Sequence, residues 1–320
     1  MPILPASPRA LKQAVSLLKR GELVAFPTET VYGLGADATN PNAVEKIFKV
    51  KGRPPDHPVI VHVASADQFE FWAINIPDVA CRLARAFLPG PLTLILKRSS
   101  SVPDIVTGGQ DTVGLRVPNH PIALELLQTF GGGLAAPSAN RFGKISPTTA
   151  GHVLADLGED VPLILDGGAC DVGFESTIVD VTSERVRVLR PGGVGLGALS
   201  HTLGYAPEVV EQTKVRVSGS LESHYAPTTP AFLIRSQDLS VVEDSSGVIA
   251  LQPQPTTFKG VWYQLPRNAE LYGQRLYATL RELDGMKLEK IFLEQVPETA
   301  EWLAVRDRLK RATLGTYNKM

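Results

Sequence analysis

The sequence has little cysteine, no long apolar run and almost no net charge. Only Cys81 and Cys170 occur among its 320 residues, which argues against a disulfide framework and a multi-cysteine zinc site. No apolar stretch is long enough to cross a bilayer, and the N-terminal segment lacks the hydrophobic region of a signal peptide. We therefore expect a protein of the reducing cytoplasm that makes no membrane contact.

The sequence also lacks an excess of charge of one sign. The net charge is −1; residues 1–206 carry 18 basic and 19 acidic side chains, and residues 207–320 carry 14 of each. A tight, sequence-independent nucleic-acid binder usually has a basic excess. The composition therefore argues against such a binder, and leaves only a local basic cleft open.

The motifs of the common nucleotide enzymes and hydrolases are absent as well. The chain contains no G-x-x-x-x-G-K-[ST], no strand followed by G-x-G-x-x-G, no H-E-x-x-H and no G-x-S-x-G. Gly143-Lys144 approaches the first of these, but Ile145 follows where Ser or Thr is required. Common phosphate loops and hydrolase triads are therefore excluded.

The first two hundred residues alternate apolar runs with helical patterns and predict an α/β domain. Several connections are too short for a crossover, so part of the sheet should be antiparallel. The first helix should have Ser7 as its N-cap and end at Gly21. Further helices are predicted from about Pro41, over 77–88, and around 120–130 and 148–157. Strands are predicted at 23–26, 58–63, 91–96, 112–117, 134–138, 162–166, 176–181 and 185–189.

The remainder divides into a connection and a second domain. Residues 206–230 are polar and rich in Ser, Thr and Pro, and predict a linker. Strands are then expected at 231–235, 247–251, 261–265 and 290–295, and helices at 267–284 and 299–312. This pattern predicts a small Rossmann-like domain without a glycine fingerprint. The predicted boundaries are 1–205, 206–230 and 231–320.

Two polar segments follow early elements of the first domain. PTETVYGLG (27–35) follows a strand, and its glycines would let backbone amides approach a ligand; a tight polar turn is the alternative. Lys51 and Arg53 flank Gly52, and on an extended segment they would point to one side and straddle a phosphate chain. The alternative for these cations is a solvated helix end.

Further candidates lie in or just beyond predicted strands. His62 is inside a strand, where a hydrogen-bonded core histidine is the alternative to a ligand. Arg116 needs an acid or an anionic substrate as its partner. Ser146 is predicted as a helix N-cap with Pro147 as the first helical residue. The other candidates occupy positions where open α/β sheets bind ligands, and they are Ser138, Asn140, Ser176 and Arg190. Together these residues predict a pocket for a polyanion and a small polar molecule, without a nucleophile or a metal cage.

These motifs resemble those of the YrdC/Sua5 family of threonylcarbamoyl-AMP synthases, in its long two-domain Sua5 form. PTETVYGLG, KGRP, PVIVHV, PGPLTLIL, TVGLRVP, PSAN, SPT, STIVD and RPG follow one another in the family's order. The family's KxR and SxN signatures are present as Lys51-x-Arg53 and Ser138-x-Asn140. The long form's linker motif is present as HYAP at 224–227. The resemblance covers the whole chain and is densest over about 10–200.

The resemblance implies both a fold and a reaction. The fold would be a YrdC-like twisted mixed sheet with helices, followed by a smaller Rossmann-like α/β domain. The enzyme would be a nucleotidyltransferase that converts L-threonine, bicarbonate and ATP into threonylcarbamoyl-AMP and pyrophosphate, with Mg²⁺ as the counter-ion of ATP. Catalysis would depend on positioning and charge neutralisation. The product would pass to a tRNA threonylcarbamoyl-transferase complex that makes t6A at position 37, with weak or no direct tRNA binding by this chain.

The resemblance also implies roles for individual residues. Lys51, Arg53, Ser138 and Asn140 would be catalytic. The residues that would hold threonine are Thr30, His62, Arg116, Ala136 and Ser176, with Arg116 on the α-carboxylate. The residues that would hold ATP are Arg53, His57, Thr112, Ser138, Ser146, Arg190 and Tyr225, with Tyr225 closing from the linker. His57 stands where the family often has Asn, and its imidazole would add pH dependence.

Three rival functions remain open at this stage. A double-stranded RNA or tRNA-binding module is disfavoured by the near-neutral charge of both halves. A carbamoyltransferase of the hydrogenase-maturation type would carry zinc-finger cysteines that this chain lacks. An inactive partner-binding homologue is disfavoured because Lys51, Arg53, Ser138 and Asn140 occur together.

Overall fold

The fold was analysed in a computed structural model, which describes residues 3–210, 215–217, 219 and 224–317. The chain forms two compact units. The first unit comprises Met1–Phe142 and Pro147–Ser220, and the second comprises Gly143–Ser146 and Leu221–Met320. No described helix is both long enough and apolar enough to cross a membrane.

The first unit contains one mixed sheet with helices. Its strands are β1 (Ile3–Pro5), β2 (Val24–Phe26), β3 (Gly33–Asp37), β4 (Ile60–His62), β5 (Leu92–Lys97), β6 (Thr112–Arg116), β7 (Leu134–Ala135), β8 (Ile164–Asp166), β9 (Thr177–Asp180), β10 (Arg187–Arg190) and β11 (Glu208–Val209). Its α-helices are α1 (Pro8–Lys19), α2 (Pro41–Lys51), α3 (Phe69–Trp72), α4 (Asp78–Phe87), α5 (Asp104–Thr107), α6 (Pro121–Phe130), α7 (Ala150–Leu157) and α8 (Leu196–Leu203).

The strands of this sheet follow the order β1-β8-β2-β3-β7-β4-β6-β5-β9-β10-β11. The pairs β2–β3, β3–β7, β4–β7, β5–β6 and β9–β10 are antiparallel, whereas β1–β8, β2–β8, β4–β6, β5–β9 and β10–β11 are parallel. The expected mixture of parallel and antiparallel pairs is therefore confirmed.

The two faces of the central strands have different surroundings. Val61, Leu94 and Leu115 belong to the main hydrophobic core. Side chains alternate along a strand, so Ile60 and Ile95 lie on the opposite face, in a smaller cluster that also contains Val217. We call this opposite face, which also carries His62, Thr112, Gly114 and Arg116, the site face. Gly114 lets the side chains of neighbouring strands pack over its backbone, because a Cβ there would lie 3.3 Å from Ile95 Cδ1.

The second unit contains a four-stranded parallel sheet in the order β12-β15-β13-β14. The strands are β12 (Ala231–Ile234), β13 (Gly247–Ala250), β14 (Val261–Gln264) and β15 (Ile291–Glu294), and the α-helices are α9 (Ala269–Gly285) and α10 (Leu303–Tyr317). Asn268 caps α9 by accepting from Leu271 N at 3.0 Å. The parallel α/β arrangement agrees with the Rossmann-like expectation.

Several local predictions are confirmed and others are wrong. Ser7 caps α1 through Ala10 N at 3.2 Å, as its position predicts. Ser146 is not an N-cap: α7 begins three residues later than predicted, and Thr149 caps it by accepting from His152 N at 3.3 Å. Pro147 is not helical, because its carbonyl accepts the Tyr32 N–H at 2.9 Å.

The segment predicted as a polar linker is partly built into the first unit. Its Glu208 and Val209 form β11 on β10, and Val217 is buried on the site face. The valines of KVRVS alternate with charged residues, so their side chains can point the same way. Val217 is buried on the site face, and Val215 is partly buried against the same cluster. Residues 211–214, 218 and 220–223 of this predicted linker lie outside the described residues.

Candidate functional site

The segment after β2 makes a tight turn whose hydroxyls bond within it. Thr28 Oγ1 accepts the N–H groups of Thr30 and Val31 at 3.2 Å and donates to the Val31 carbonyl at 2.7 Å. It also lies 2.9 Å from Thr30 Oγ1. Short hydroxyl side chains favour such turns because they bond to their own backbone. The turn fixes Glu29 and Thr30 in the interior, where both are buried.

The two glycines at the end of PTETVYGLG have a packing role that differs from the predicted one. Gly33 and Gly35 lie in β3 and not in a ligand-binding loop. A Cβ on Gly35 would lie 2.8 Å from the Phe26 ring, and one on Gly33 would lie 3.4 Å from Ala136. They therefore allow β2, β3 and the segment after β7 to pack closely.

Arg116 and His62 lie side by side at the ends of parallel strands. They are register partners on β6 and β4, and Arg116 Nη2 lies 2.8 Å from Glu29 Oε1 with both side chains buried. The acid partner that the sequence demands for Arg116 is thus Glu29. The two charged groups are close, but their contact does not have hydrogen-bond geometry. No hydrogen-bond partner among the described residues is found for Arg116 Nε and Nη2, for either carboxylate oxygen of Glu29, or for His62 Nδ1. Buried polar groups of this kind are rare in proteins, and point to a ligand.

His62 is held in the neutral form. Burial and, to a smaller extent, the Arg116 guanidinium lower the pKa of His62 to about 3. Its ring stands edge-on to Phe26 with 6.2 Å between ring centroids. Neutral imidazole offers one donor and one acceptor, which suits a hydroxyl group better than an anion.

The lowered pKa of His62 predicts a specific loss of stability in acid. An unfolded histidine titrates near 6.5, so the unfolded state takes up the proton first as pH falls. The stabilisation is complete above about pH 6.5 and is lost towards pH 3, up to about 5 kcal/mol. Urea unfolding of His62→Asn and wild-type protein between pH 7 and pH 4 should therefore show a shallower pH dependence for the variant. Parallel curves would contradict the buried neutral state.

Ser176 connects β5 with β10 on the site face. Its Oγ lies 2.8 Å from Thr93 Oγ1 and accepts from Arg190 Nη2 at 3.1 Å. Arg190 also donates to the Ser176 carbonyl through Nε at 3.1 Å and Nη2 at 2.9 Å. Gly192 permits this approach, since a Cβ there would lie 2.4 Å from the Glu175 carbonyl oxygen. A buried cation is thereby fixed beside a hydroxyl group.

Lys51 connects the two signature motifs directly. Its Nζ donates to the carbonyls of Ser138 and Asn140, each at 2.6 Å. Burial and the nearby Arg53 lower the pKa of Lys51 well below its usual value, and the two carbonyl contacts favour the charged form. The spacing of KxR and SxN thus has a structural reason: the lysine of one motif holds the backbone of the other.

The expected extended geometry around Lys51 is wrong. Lys51 is the last residue of α2, and Gly52 reverses the chain in the left-handed region with φ +65°. The alternative of a solvated helix end also fails, because Lys51 and Arg53 are both buried. Arg53 Nη2 donates to the Pro58 carbonyl at 2.6 Å, and its guanidinium lies 5.8 Å from the Phe142 ring centroid.

His57 shares the Phe142 ring with Arg53. Its ring is edge-on to Phe142 with 5.5 Å between centroids. Burial and the Arg53 charge lower the pKa of His57 below its usual value. At neutral pH the imidazole is therefore mainly neutral and able to donate one hydrogen bond. The pH dependence expected at this position lies on the acid side.

The remaining candidates of the first unit are Ala136, which follows β7, and Thr112, which begins β6. Ala136 is buried, and its N–H donates to the Ile60 carbonyl at 2.9 Å. Thr112 begins β6 and Arg116 ends it, on the same face, about 13 Å apart by the rise of a strand. Thr112 also borders a cavity of about 610 Å³ together with Lys97 and Thr182. None of the other candidate residues lines this cavity, so the assignment of Thr112 to the nucleotide stays a prediction.

Ser146 and Tyr225 belong to the second unit. Ser146 is buried, and its carbonyl accepts from Arg281 Nε at 3.4 Å. Tyr225 is buried with a positive φ of 60° and stacks on Tyr277 at 5.6 Å. The guanidinium of Arg308 lies 5.0 Å from the Tyr225 ring centroid. Their roles as nucleotide contacts stay predictions.

Sequence reasoning missed three participants in these contacts. Glu29 was noted only as the acidic residue of PTETVYGLG. A buried arginine such as Arg116 requires a partner of this kind, but the sequence did not show which acid it is. Thr93 gave no sequence signal, and Phe142 was visible only as part of the Arg-Phe pair that follows Asn140. Among the described residues, no group of three or more His, Cys, Asp or Glu side chains is arranged to hold a metal ion.

Comparison with known proteins identifies relatives over nearly the whole chain. A family model described as "Telomere recombination" (Sua5, YciO and YrdC) matches residues 16–192. A second, described as "Threonylcarbamoyl-AMP synthase, C-terminal domain", matches residues 181–313. The chain is 39% identical to the threonylcarbamoyl-AMP synthase of Pyrococcus abyssi, covering 95% of this chain and 94% of the relative. It is 37% identical to that of Bacillus subtilis, with coverage of 95% and 93%.

A solved structure agrees with these sequence relationships. The crystal structure of P. abyssi Sua5 complexed with L-threonine superposes with a TM-score of 0.91 at 36% identity, and the match covers 98% of each chain. The fold predicted from the sequence is therefore confirmed in both of its parts.

Proposed function

The chain belongs to the Sua5/YrdC family of threonylcarbamoyl-AMP synthases in its two-domain form, and we propose that it makes threonylcarbamoyl-AMP and pyrophosphate from L-threonine, bicarbonate and ATP. The observation that carries this proposal is the buried Glu29–Arg116 pair, in which Arg116 Nε and Glu29 Oε2 have no hydrogen-bond partner among the described residues. A cation and an anion side by side match the two charges of an amino acid.

The threonine part of the site follows from this match. Arg116 takes the α-carboxylate through the N–H groups that Glu29 leaves unused, in a charge-assisted pair. His62 and Thr30 present a neutral ring and a hydroxyl to the substrate's side-chain hydroxyl. Ala136 and Ser176 complete the walls of this part. A serine would leave the space of the threonine methyl group unfilled, which favours threonine modestly.

The nucleotide part uses the cations of the first unit. Arg53, Arg190 and Lys51 neutralise the phosphates, and His57, Thr112 and Ser138 bind the remainder of the nucleotide. Asn140 supports the phosphates beside Ser138. Ser146 and Tyr225 are further predicted nucleotide contacts. The carbamate oxygen of N-carboxythreonine attacks the α-phosphorus of ATP, and pyrophosphate leaves.

The reaction needs no covalent enzyme intermediate. The catalytic contribution of Lys51, Arg53, Ser138 and Asn140 is to position the two substrates and to neutralise developing charge. Mg²⁺ enters with ATP, whose phosphate oxygens are the hard ligands that it prefers.

The product and its surroundings extend the same proposal. Threonylcarbamoyl-AMP supplies the threonylcarbamoyl group of t6A at position 37 of tRNA, and a separate transferase complex takes it there. The chain itself binds tRNA weakly or not at all, and acts in the cytoplasm. A salt-titrated tRNA-binding assay tests this point, and strong binding at physiological salt would contradict it.

The direct test of the proposed function is an incubation with radiolabelled L-threonine, ATP, Mg²⁺ and bicarbonate, with pyrophosphatase added. We expect a labelled adenylate that requires both threonine and bicarbonate. Bound ATP without any labelled adenylate would overturn the assignment.

A further inference from the structure

Glu29 is the one carboxylate in direct contact with Arg116 among the described residues, and it is deeply buried. Its side chain is 6% exposed and that of Arg116 is 5% exposed, with 2.8 Å between Oε1 and Nη2. Neither Glu29 oxygen accepts a hydrogen bond from any described residue. A buried carboxylate accepts several hydrogen bonds when it is only structural. This one retains its accepting capacity.

We propose that Glu29 binds the α-ammonium group of threonine and removes the proton that blocks its carboxylation. This inference rests on the proposed function, and it adds a catalytic residue to the reaction. In this proposal Arg116 holds the substrate carboxylate, and Glu29 acts on the amine.

The geometry favours this contact because the two charged groups of an α-amino acid share one carbon atom. A carboxylate bound by the Arg116 guanidinium would therefore hold its ammonium group close to the same guanidinium that Glu29 contacts at 2.8 Å. The Thr28 turn, with hydrogen bonds of 2.7 to 3.2 Å, fixes the backbone from which Glu29 projects. Glu29 Oε2, which accepts no hydrogen bond from a described residue, is the acceptor that we assign to the ammonium group.

The chemistry requires a base at this position. At neutral pH the amine of threonine is mainly an ammonium group without a lone pair. Glu29 accepts one proton, which gives a neutral amine and a protonated Glu29. The amine nitrogen then forms a bond to the carbon of bicarbonate, and N-carboxythreonine and one water molecule result. The proton on Glu29 passes to solvent, and the carboxylate is restored.

Protonation of Glu29 also helps the product of this step. The new carbamate places a second negative charge on the substrate, close to a carboxylate that would otherwise repel it. A neutral Glu29 removes this repulsion while Arg116 continues to hold the α-carboxylate. Like charges at such short distances are strongly unfavourable in a buried site.

The other titratable groups around Glu29 are weaker candidates for the base. His62 faces Arg116, and burial lowers its pKa to about 3. Burial also lowers the pKa of His120, which interacts with Glu29 and Asp171, and its Nδ1 already accepts the Ile122 N–H at 3.3 Å. Burial raises the pKa of Cys170, which faces Glu29, Asp171 and Arg116, to about 12.

The test compares pH–rate profiles of wild-type protein and Glu29→Gln. With Glu29 as the base, the wild-type kcat should vary little between pH 6 and pH 8. The variant should lose at least about 10²-fold at pH 7. Its rate should then rise about tenfold per pH unit, as solution supplies more free amine. A pH-independent loss in Glu29→Gln, or a wild-type rate that itself rises tenfold per unit, would overturn the proposal.

The reverse reaction separates this role from a structural one. Formation of ATP from threonylcarbamoyl-AMP and pyrophosphate needs no amine deprotonation, so Glu29→Gln should retain it within about threefold. Loss of both directions to the same extent would show that Glu29 only holds Arg116. Wild-type protein that makes no adenylate at all would instead contradict the proposed function.

The chain offers a matched control and a conservative variant. Asp180 is a fully buried carboxylate at the end of β9 that pairs with Arg187 of β10. Asp180→Asn should therefore lower stability and leave the rate independent of pH between pH 6 and pH 8. Glu29→Asp keeps a base and should keep the flat profile at a reduced rate. A rate that rises about tenfold per pH unit in Asp180→Asn, or in Glu29→Asp, would contradict the assignment of the base to Glu29.

Discussion

Arg116→Ala is expected to abolish threonine-dependent adenylate formation and to lower the free energy of unfolding by about 3–5 kcal/mol. The loss of stability arises because Glu29 keeps a buried charge without its partner. The loss of activity arises because the α-carboxylate loses a forked, charge-assisted contact. Chemical unfolding and calorimetric titration with threonine measure the two effects separately.

Two companion variants show which effect belongs to which cause. Arg116→Lys keeps the charge but not the fork, so we expect near-normal stability and threonine binding weakened about 10- to 100-fold. The double variant Arg116→Met/Glu29→Leu removes both charges, and should recover most of the stability without any activity. ATP affinity should change less than threefold in Arg116→Lys. An equal loss of threonine and ATP binding there would contradict the assignment of Arg116 to threonine.

Lys51→Met is expected to weaken ATP binding at least tenfold while threonine binding stays within threefold. The Nζ group holds the carbonyls of Ser138 and Asn140 at 2.6 Å each. Each carbonyl left unpaired costs about 1–3 kcal/mol, and the segment that carries the Ser138 hydroxyl loses its anchor. Ala136 should keep its place, because its N–H is held independently by Ile60 at 2.9 Å.

The same helix provides the control for Lys51. Lys49 lies two residues earlier, is exposed and makes a surface pair with Glu45 at 3.2 Å. Surface pairs of this kind contribute about 0–1 kcal/mol, so Lys49→Met should leave stability and ATP affinity unchanged. Equal effects of the two substitutions would mean that the charge of α2, and not the contact with the SxN segment, sets ATP affinity.

Much of the fold could be predicted because local signals agreed with tertiary packing. Ser7 and Pro8 begin α1 as their residue types predict, and the apolar runs at 58–63 and 112–117 contain β4 and β6. Ser146-Pro147 gave an equally strong prediction of a helix start, and this prediction was wrong. There the Pro147 carbonyl bonds Tyr32 N, so tertiary contacts displaced the helix start to Thr149.

The candidate site was predictable in composition but not in contacts. Polar residues at strand ends marked Arg116, Ser176 and Arg190 without showing what each one touches. The pairing of Lys51 with the SxN backbone joins positions 87 and 89 residues apart, and the pairing of Glu29 with Arg116 joins the Thr28 turn to the end of β6. Both are contacts between segments far apart in the chain, which a linear pattern leaves undetermined.

The central claim is that this site joins the carbon of bicarbonate to the amine of threonine and then adenylates the product. The most direct test is mass spectrometry of the adenylate formed in ¹³C-bicarbonate and in ordinary bicarbonate. We predict an adenylate that contains threonine and is one mass unit heavier in the labelled reaction. An adenylate of unchanged mass, or one that forms without bicarbonate, would contradict the account.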